Sequence, residues 1–362
     1  MVGFMTTFHW FLPTTGDGDQ VGAATVAAGA AAHVRAPTVA YLSEVARAAE
    51  KVGFASALTP VGAGCLDPLV MCAAIAQHTS TLRLLVAFRA GFTLPTLLAQ
   101  QAEAFQWISG GRLALNVVTG GDQVEQRAYG DFVEHDGRYA RTAEYLEVLR
   151  RAWKGERFDF RGDYYQVEGG GLSTPLADVP PIYFGGASPA AEEVAARHAD
   201  VQLMWGEPPA AIKERIDRVR ARNAALRFGL RIHVIVRDDA DQAWAEADRL
   251  LAGMDPDRIA AAQRRFARMD SVGQARMTDL NQGSRDGLVI GPNLWAGIGL
   301  VREGAGTALV GDPAEINARL DEYVAAGVDE FILSGWPHLE EAQRVGDVLN
   351  SRPRTDPRSV PA

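Results

Sequence analysis

The stretch LRLLVAFRAGFTLPTLLAQQAEAFQWISGGRLALNVVTGG, residues 82–121, decides the architecture. Its two apolar runs, LRLLVAF (82–88) and RLALNVVTGG (112–121), carry hydrophobic side chains on both faces and predict strands that are covered on both sides. Residues 95–108 between them suit a helix. Parallel strands need such a crossover, so the unit reads as strand, helix, parallel strand. Asn116 to Thr119 bring polar groups to the point where the second strand leaves the sheet.

The alternation extends in both directions. Upstream, Phe4 to Leu12 is strand-like and PTTGDGD turns the chain. Thr38 to Val52 has the helical spacing Val39, Leu42, Val45, Ala46, Ala49, stopped by Gly53. FASALT (54–59) is a short strand whose loop carries Cys65. Downstream, residues 137–154 predict a helix and FDFRGDYYQVEG (158–169) an inserted hairpin. PIYFGG (181–186), VQLMW (201–205), RIHVIVR (231–237), TALVG (307–311) and FILSG (331–335) predict further strands. Helices are predicted at 188–197, 208–225, 240–251, 313–326 and 338–349. The pattern predicts an α/β chain folded as a (β/α)8 TIM barrel with insertions, one domain over residues 1–350. Residues 253–305 are too long for a routine connection and predict a mobile insertion, with Arg264, Arg265 and Arg268 facing either ligand or solvent. Residues 351–362 predict a flexible C-terminal tail.

Lys and Arg number 36 against 45 Asp and Glu, and the net charge of −9 opposes general adsorption to nucleic acid or an anionic membrane. Any anion must therefore be captured locally. Of the 362 residues, 47% are hydrophobic and 22% charged, enough to build a sizeable core. Cys65 and Cys72 offer neither a disulfide framework nor a metal-ligand pattern, and Cys72, in the run Leu69 to Ile75, reads as a buried hydrophobe. No apolar stretch is long enough to span a membrane and no basic-then-apolar leader opens the chain, so a cytoplasmic location is expected.

Barrel enzymes place their chemistry where strands end. That rule selects Cys65, Asn116, Thr119, Gly185, Gly186, Ser188, Trp205, Arg302 and Trp336. Arg231 and His233, two apart in RIHVIVR, share one face of an otherwise apolar strand. A buried arginine needs an anionic partner, which can be a ligand or a structural carboxylate. GGAS (185–188) can present backbone N–H groups to a phosphate or simply turn the chain. His135 and Tyr139, four apart in HDGRY, approach one another on a helix face, for a cofactor or for packing. Asn116 and Thr119 can bond a polar heterocycle or satisfy a strand end. Cys65 has no basic neighbour in sequence to generate a thiolate, which favours a noncovalent role. Arg302, before EGAG, can close over an anion or pair at the surface.

Taken together, FHWFLPTTGDGD, the Cys65 loop, RLALNVVTGGDQ, EHDGRYART, PPIYFGGAS, WGEPP, RIHVIVRD, SVGQARM, GPNLWAG, LVREGAGTALVGDP and SGWPHLEEAQRVG resemble the alkanesulfonate monooxygenases of the bacterial luciferase-like flavin-dependent family, from about Phe8 to Leu349. The resemblance implies a two-component enzyme that borrows reduced FMN from a separate NAD(P)H-dependent FMN reductase. Molecular oxygen adds to the flavin, and an aliphatic C–S bond is cleaved to aldehyde and sulfite. It assigns Cys65, Arg231, His233 and Arg302 to catalysis: the arginines to an anion, His233 to protons or water, Cys65 to polar contact with the flavin. Asn116, Thr119, His135, Tyr139, Gly185, Gly186 and Ser188 become cofactor residues. Phe11, Trp205 and Trp336 become pocket walls. A homodimer or homotetramer is the implied assembly. Two positions depart from the family pattern: Trp336 stands where a tyrosine is usual, and Thr15 replaces a histidine. These changes point to altered proton transfer and leave open a sulfone, aromatic sulfonate or nitrogen heterocycle as substrate. A deazaflavin-dependent oxidoreductase and a noncatalytic flavin-binding protein are the readings from other classes.

Overall fold

Strands that are apolar on both faces close into a ring only if helices cover the outside, and the element order supplies them. The computed structural model describes residues 6–21 and 34–352. Its strands are β1 (Thr7–Phe11), β2 (Ser56–Thr59), β3 (Arg83–Arg89), β4 (Leu113–Val118), β5 (Phe158–Arg161), β6 (Gln166–Gly170), β7 (Ile182–Gly185), β8 (Val201–Trp205), β9 (Arg227–Val236), β10 (Val289–Gly291), β11 (Leu294–Trp295), β12 (Ala308–Gly311) and β13 (Glu330–Ser334). Its helices are α1 (Val39–Lys51), α2 (Pro68–Ile75), α3 (Pro95–Ser109), α4 (Gln123–Ala128), α5 (His135–Trp153), α6 (Pro189–His198), α7 (Pro209–Arg220), α8 (Ala240–Ala252), α9 (Pro256–Phe266), α10 (Val272–Asn281), α11 (Pro313–Ala325) and α12 (His338–Asn350). Phe4 and Met5 of the predicted first strand, and residues 353–362 of the predicted tail, lie outside the described residues.

Eight strands, β1, β2, β3, β4, β7, β8, β9 and β13, pair in parallel and in sequence order, and β13 returns to β1. This is the predicted TIM barrel. TALVG forms a strand outside the ring. His233 pairs with Ser334 of β13 and also with Ala308 of β12, so β12 extends the opposite edge of β9 beyond the end of β8.

Alternation along each strand sorts the cores. Leu58, Leu85, Ala114, Leu203 and Ile332 meet inside the ring, while Trp10, Leu84, Leu115, Phe184, Leu230 and Phe331 pack outward with helix residues. Burying each such leucine or phenylalanine contributes about 1.5–3 kcal/mol. Arg231 and His233 share parity with the inward positions of β9.

Two helices were not legible. PLVMCAAI forms α2, capped by the Asp67 side chain with Pro68 in its first turn. Its apolar residues run all round, so no stripe marks a helix. QVEQRA forms α4, with Asp122 accepting from the Val124 and Glu125 amides. The predicted helix 208–225 stops at Arg220, where Asn223 takes the Ala225 amide and donates to the Ala196 carbonyl. Helix α5 begins two residues earlier than predicted, at His135, and β9 four residues earlier, at Arg227.

The 253–305 insertion contains α9, α10 and the antiparallel β10–β11 ladder joined to β12. Its α9–α10 turn is tied to the barrel. Arg138 reaches both oxygens of Asp270 at 2.8 and 2.7 Å, and the Asp270 amide donates to Gly121 at 3.0 Å. Arg265 pairs with Glu303 at 3.3 Å and Arg268 approaches Asp122 at 4.0 Å, while Arg264 is exposed.

Candidate active site

At the C-terminal ends of the strands one cavity is lined by all seven predicted cofactor residues, Asn116, Thr119, His135, Tyr139, Gly185, Gly186 and Ser188, together with Trp205 and Arg231. Asn116 is inside β4, buried, and its Oδ1 has no hydrogen-bond partner. Burying an acceptor unpaired costs about 1–3 kcal/mol, which a donor on a ligand would recover. Thr119 follows the strand, its carbonyl held by Gln126 at 2.7 Å. His135 opens α5 and lies edge-on to Tyr139, with ring centroids 5.0 Å apart. Its Nδ1 is 2.7 Å from the exposed Asp136 carboxylate.

The turn after β7 is shaped for close approach. Gly186 has φ +149°, and a Cβ there would meet the Ala191 Cβ at 2.5 Å and the Tyr139 hydroxyl at 3.4 Å. Only glycine fits between that tyrosine and α6. Ser188 caps α6 by accepting the Ala191 amide at 3.2 Å, which leaves its hydroxyl proton free to donate. Glu207 accepts from Arg215 at 2.9 Å and from Arg276 of the insertion, and Arg215 also reaches the Gly186 carbonyl at 3.3 Å. The insertion therefore leans on the same turn, and its Gly273 lies against Trp205.

Of the other predicted residues, Phe11, Cys65, His233, Arg302 and Trp336 do not line this cavity; Phe11 and Arg302 lie beside Arg231, which does. Its guanidinium carbon lies 4.6 Å from the centre of the Phe11 ring, and that of Arg302 lies 5.5 Å from it. Arg231 is buried, and among the described residues it bonds only to the Ile232 and Ile332 carbonyls at 3.4 and 3.5 Å and leaves Nη2 unpartnered. Half-buried Arg302 bonds to the Glu303 and Ala305 carbonyls at 3.1 and 3.4 Å. Neither has a carboxylate within ion-pair distance among the described residues. Burial, and then the like charge of Arg302, both penalise the Arg231 cation.

His233 is fully buried, and both ring nitrogens are engaged. Nε2 is 3.0 Å from the Ala305 carbonyl and must donate, while Nδ1 is 2.6 Å from Ser334 Oγ and accepts. Burial, then the charges of Arg231 and Arg302, hold its pKa well below the usual imidazole range, so the ring is neutral. Trp336 stacks on it at 4.5 Å. Burial pushes the Cys65 thiol up despite nearby Arg302, which disfavours a thiolate.

Sequence reasoning missed two groups here. Arg89, the last residue of β3, lines the cavity, pairs with Glu125 and leaves Nε and Nη1 unpartnered. It obeys the strand-end rule and was legible in principle. His338, at the start of α12, stands against Phe11 and Trp336 at 5.7 and 5.8 Å. It lies two residues past Trp336, just beyond the end of β13 and inside the quoted stretch SGWPHLEEAQRVG, so the strand-end rule could have found it.

Fold and site together define an insertion-bearing TIM-barrel enzyme with a polar, arginine-rich cavity at the catalytic end. Residues 6–330 match the luciferase-like monooxygenase family, and the chain belongs to this family of flavin-dependent enzymes. Solved structures of the same fold include a long-chain alkane monooxygenase (20% identity, TM-score 0.76, covering 97% of this chain and 92% of that one). An EDTA monooxygenase from Chelativorans sp. BNC1 matches at 19% identity and TM-score 0.76 over 95% of this chain and 92% of its own. A riboflavin lyase matches at 18% identity and TM-score 0.75 over 95% and 90%. The unpaired Asn116 acceptor and the glycine cradle at Gly186 fit a flavin: a ring N–H for the former and a phosphate-bearing tail for the latter.

Proposed function

We propose that this chain is a reduced-FMN-dependent monooxygenase that cleaves the C–S bond of an alkanesulfonate with oxygen, the flavin being delivered by a separate NAD(P)H-dependent reductase. The balance is R–CH2–SO3⁻ + FMNH2 + O2 giving R–CHO + HSO3⁻ + FMN + H2O. The observation that carries the reading is the pair Arg231 and Arg302. They share Phe11, have no carboxylate partner among the described residues, and offer an Nη2 unpartnered among them. A sulfonate is ionised throughout the working pH range and presents three acceptor oxygens to such donors.

Asn116, Thr119, His135, Tyr139, Gly185, Gly186 and Ser188 would hold the flavin, whose chemistry is to supply the two electrons that activate oxygen. Phe11, Trp205 and Trp336 would exclude water and position the chain of the substrate. His233, with both nitrogens committed, would brace Ser334 and the Ala305 turn beside Arg302. The riboflavin lyase structure contains a modified FMN, which supports this choice of cofactor.

The test is product analysis with independently supplied reduced FMN, oxygen and a panel of aliphatic and aromatic sulfonates. Matched sulfite and aldehyde above a no-enzyme control is the expected result. Flavin binding without either product across the panel would overturn the assigned reaction and move the search to sulfones or nitrogen heterocycles.

A further inference from the structure

Among the described residues, Arg89 is the side chain that keeps two buried nitrogens, Nε and Nη1, without a partner. Buried donors left unpaired are costly, and the acceptor they lack is one a ligand can bring. Arg89 is 7% exposed and lines the cavity, yet none of the roles assigned above uses it.

Strand register places it. Ala87 of β3 pairs with Asn116 of β4, and Arg89 with Val118. Leu85 and Ala87 belong to the core inside the ring, so Arg89 shares their face, one layer beyond the Ala87–Asn116 pair. Its Nη2 is bonded to Glu125, whose other oxygen accepts the Ala63 amide at 2.6 Å. The rings of Phe92 and Tyr129 each lie 5.5 Å from the guanidinium carbon, with their centres 5.0 Å apart. Carboxylate and rings fix the guanidinium while two donors stay uncommitted.

The pyrimidine edge of a flavin carries one N–H between two carbonyl oxygens. Asn116 Oδ1 suits the N–H, and Arg89 on the neighbouring strand suits a carbonyl. The oxidised ring is neutral. The reduced ring is largely an anion at neutral pH, its charge shared between N1 and the adjacent carbonyl, where nearby protein charge tunes the flavin. Hydrogen bonds to an ionised acceptor are roughly twice as strong as those to a neutral one.

We infer that Arg89 donates to the carbonyl edge of the flavin ring and gives this protein a preference for reduced over oxidised FMN, with Glu125 as its positioning residue. The inference rests on the flavin part of the reading above and not on the sulfonate. Such a preference lets a chain that receives its flavin from another protein take up the reduced form and release the oxidised one.

The test is anaerobic titration with oxidised and with dithionite-reduced FMN, no sulfonate being present. Wild type should bind the reduced form more tightly. Arg89→Met should lower the ratio of the two affinities by about tenfold or more, which lowers the midpoint potential of the bound flavin by about 30 mV or more. That substitution strands the Glu125 carboxylate, so the double variant Arg89→Met/Glu125→Gln, which removes both charges, is measured beside it and should lose the same ratio. Glu125→Gln alone keeps an acceptor for Arg89 and should hold the wild-type ratio. Equal affinity of wild type for both forms, a ratio within threefold of wild type in the double variant, or a ratio lost as fully in Glu125→Gln would each overturn the inference. A wild type that keeps the preference but releases no sulfite from any sulfonate would fail the sulfonate reading alone.

Discussion

The two ends of the barrel solve the same problem in opposite ways. At the N-terminal end, Glu330 accepts from Tyr183 at 2.8 Å and from Arg227, and sits 3.0 Å from His9 Nε2. His9 Nδ1 in turn meets Ser56 Oγ at 2.7 Å. The buried side chains of His9, Ser56, Tyr183 and Glu330 thus each have a protein partner. At the C-terminal end, Arg231 Nη2, Asn116 Oδ1 and two nitrogens of Arg89 have none among the described residues. Interior polar groups are expensive when unpaired, so a fold that completes one layer and leaves the other open has reserved the open one for ligands.

The largest effect should come from breaking the closed layer. Glu330→Ala leaves His9, Tyr183 and Arg227 without their shared acceptor and is expected to lower unfolding stability by about 3–5 kcal/mol in denaturant titrations. Flavin affinity of the folded fraction should be unchanged. The same carboxylate sets an acid limit. Burial would raise its pKa, yet His9 and then Arg227 bring it below the ordinary value of 4.5. Its contribution is therefore complete above about pH 4.5 and is lost as pH falls through the lowered folded value. Glu330→Gln should flatten that acid limb in melts recorded from pH 6 down to about pH 3.

Breaking the open layer should instead spare stability. Arg231→Met is expected to reduce kcat/KM for sulfite formation by about 10²–10³, or roughly 3–4 kcal/mol of transition-state binding. Asn116→Ala, the smallest of the three, should weaken flavin binding about tenfold in fluorescence titrations, near 1.4 kcal/mol, without lowering the melting temperature. A loss of stability in either variant would place those residues with Glu330 as structural groups.

The contrast explains what could be read from the chain alone. The barrel was legible because its strands are apolar on both faces and its crossovers have helical spacing. Residues that line the cavity were legible because strand ends are found by the same pattern, and Gly185 and Trp205 are the last residues of their strands. The RIHVIVR pair stood out because charge in an apolar strand is costly. What stayed hidden depends on contacts distant in sequence. Asp17 and His338 are 321 positions apart, and nothing local to either announces the other. Nor could spacing reveal that Ser334 and the Ala305 carbonyl engage both nitrogens of His233. The helix α2 was hidden for another reason, since a short run apolar on every side has no period to read.

The most direct measurement is the thermal melt of wild type and Arg231→Met, each with and without an alkanesulfonate in excess. If the open layer is a ligand site, the variant melts at or above the wild-type temperature when no sulfonate is present, because an unpaired buried cation has been removed. Sulfonate then raises the wild-type midpoint and leaves the variant where it was. A variant that melts well below wild type, or one that sulfonate stabilises as much as wild type, would contradict the account.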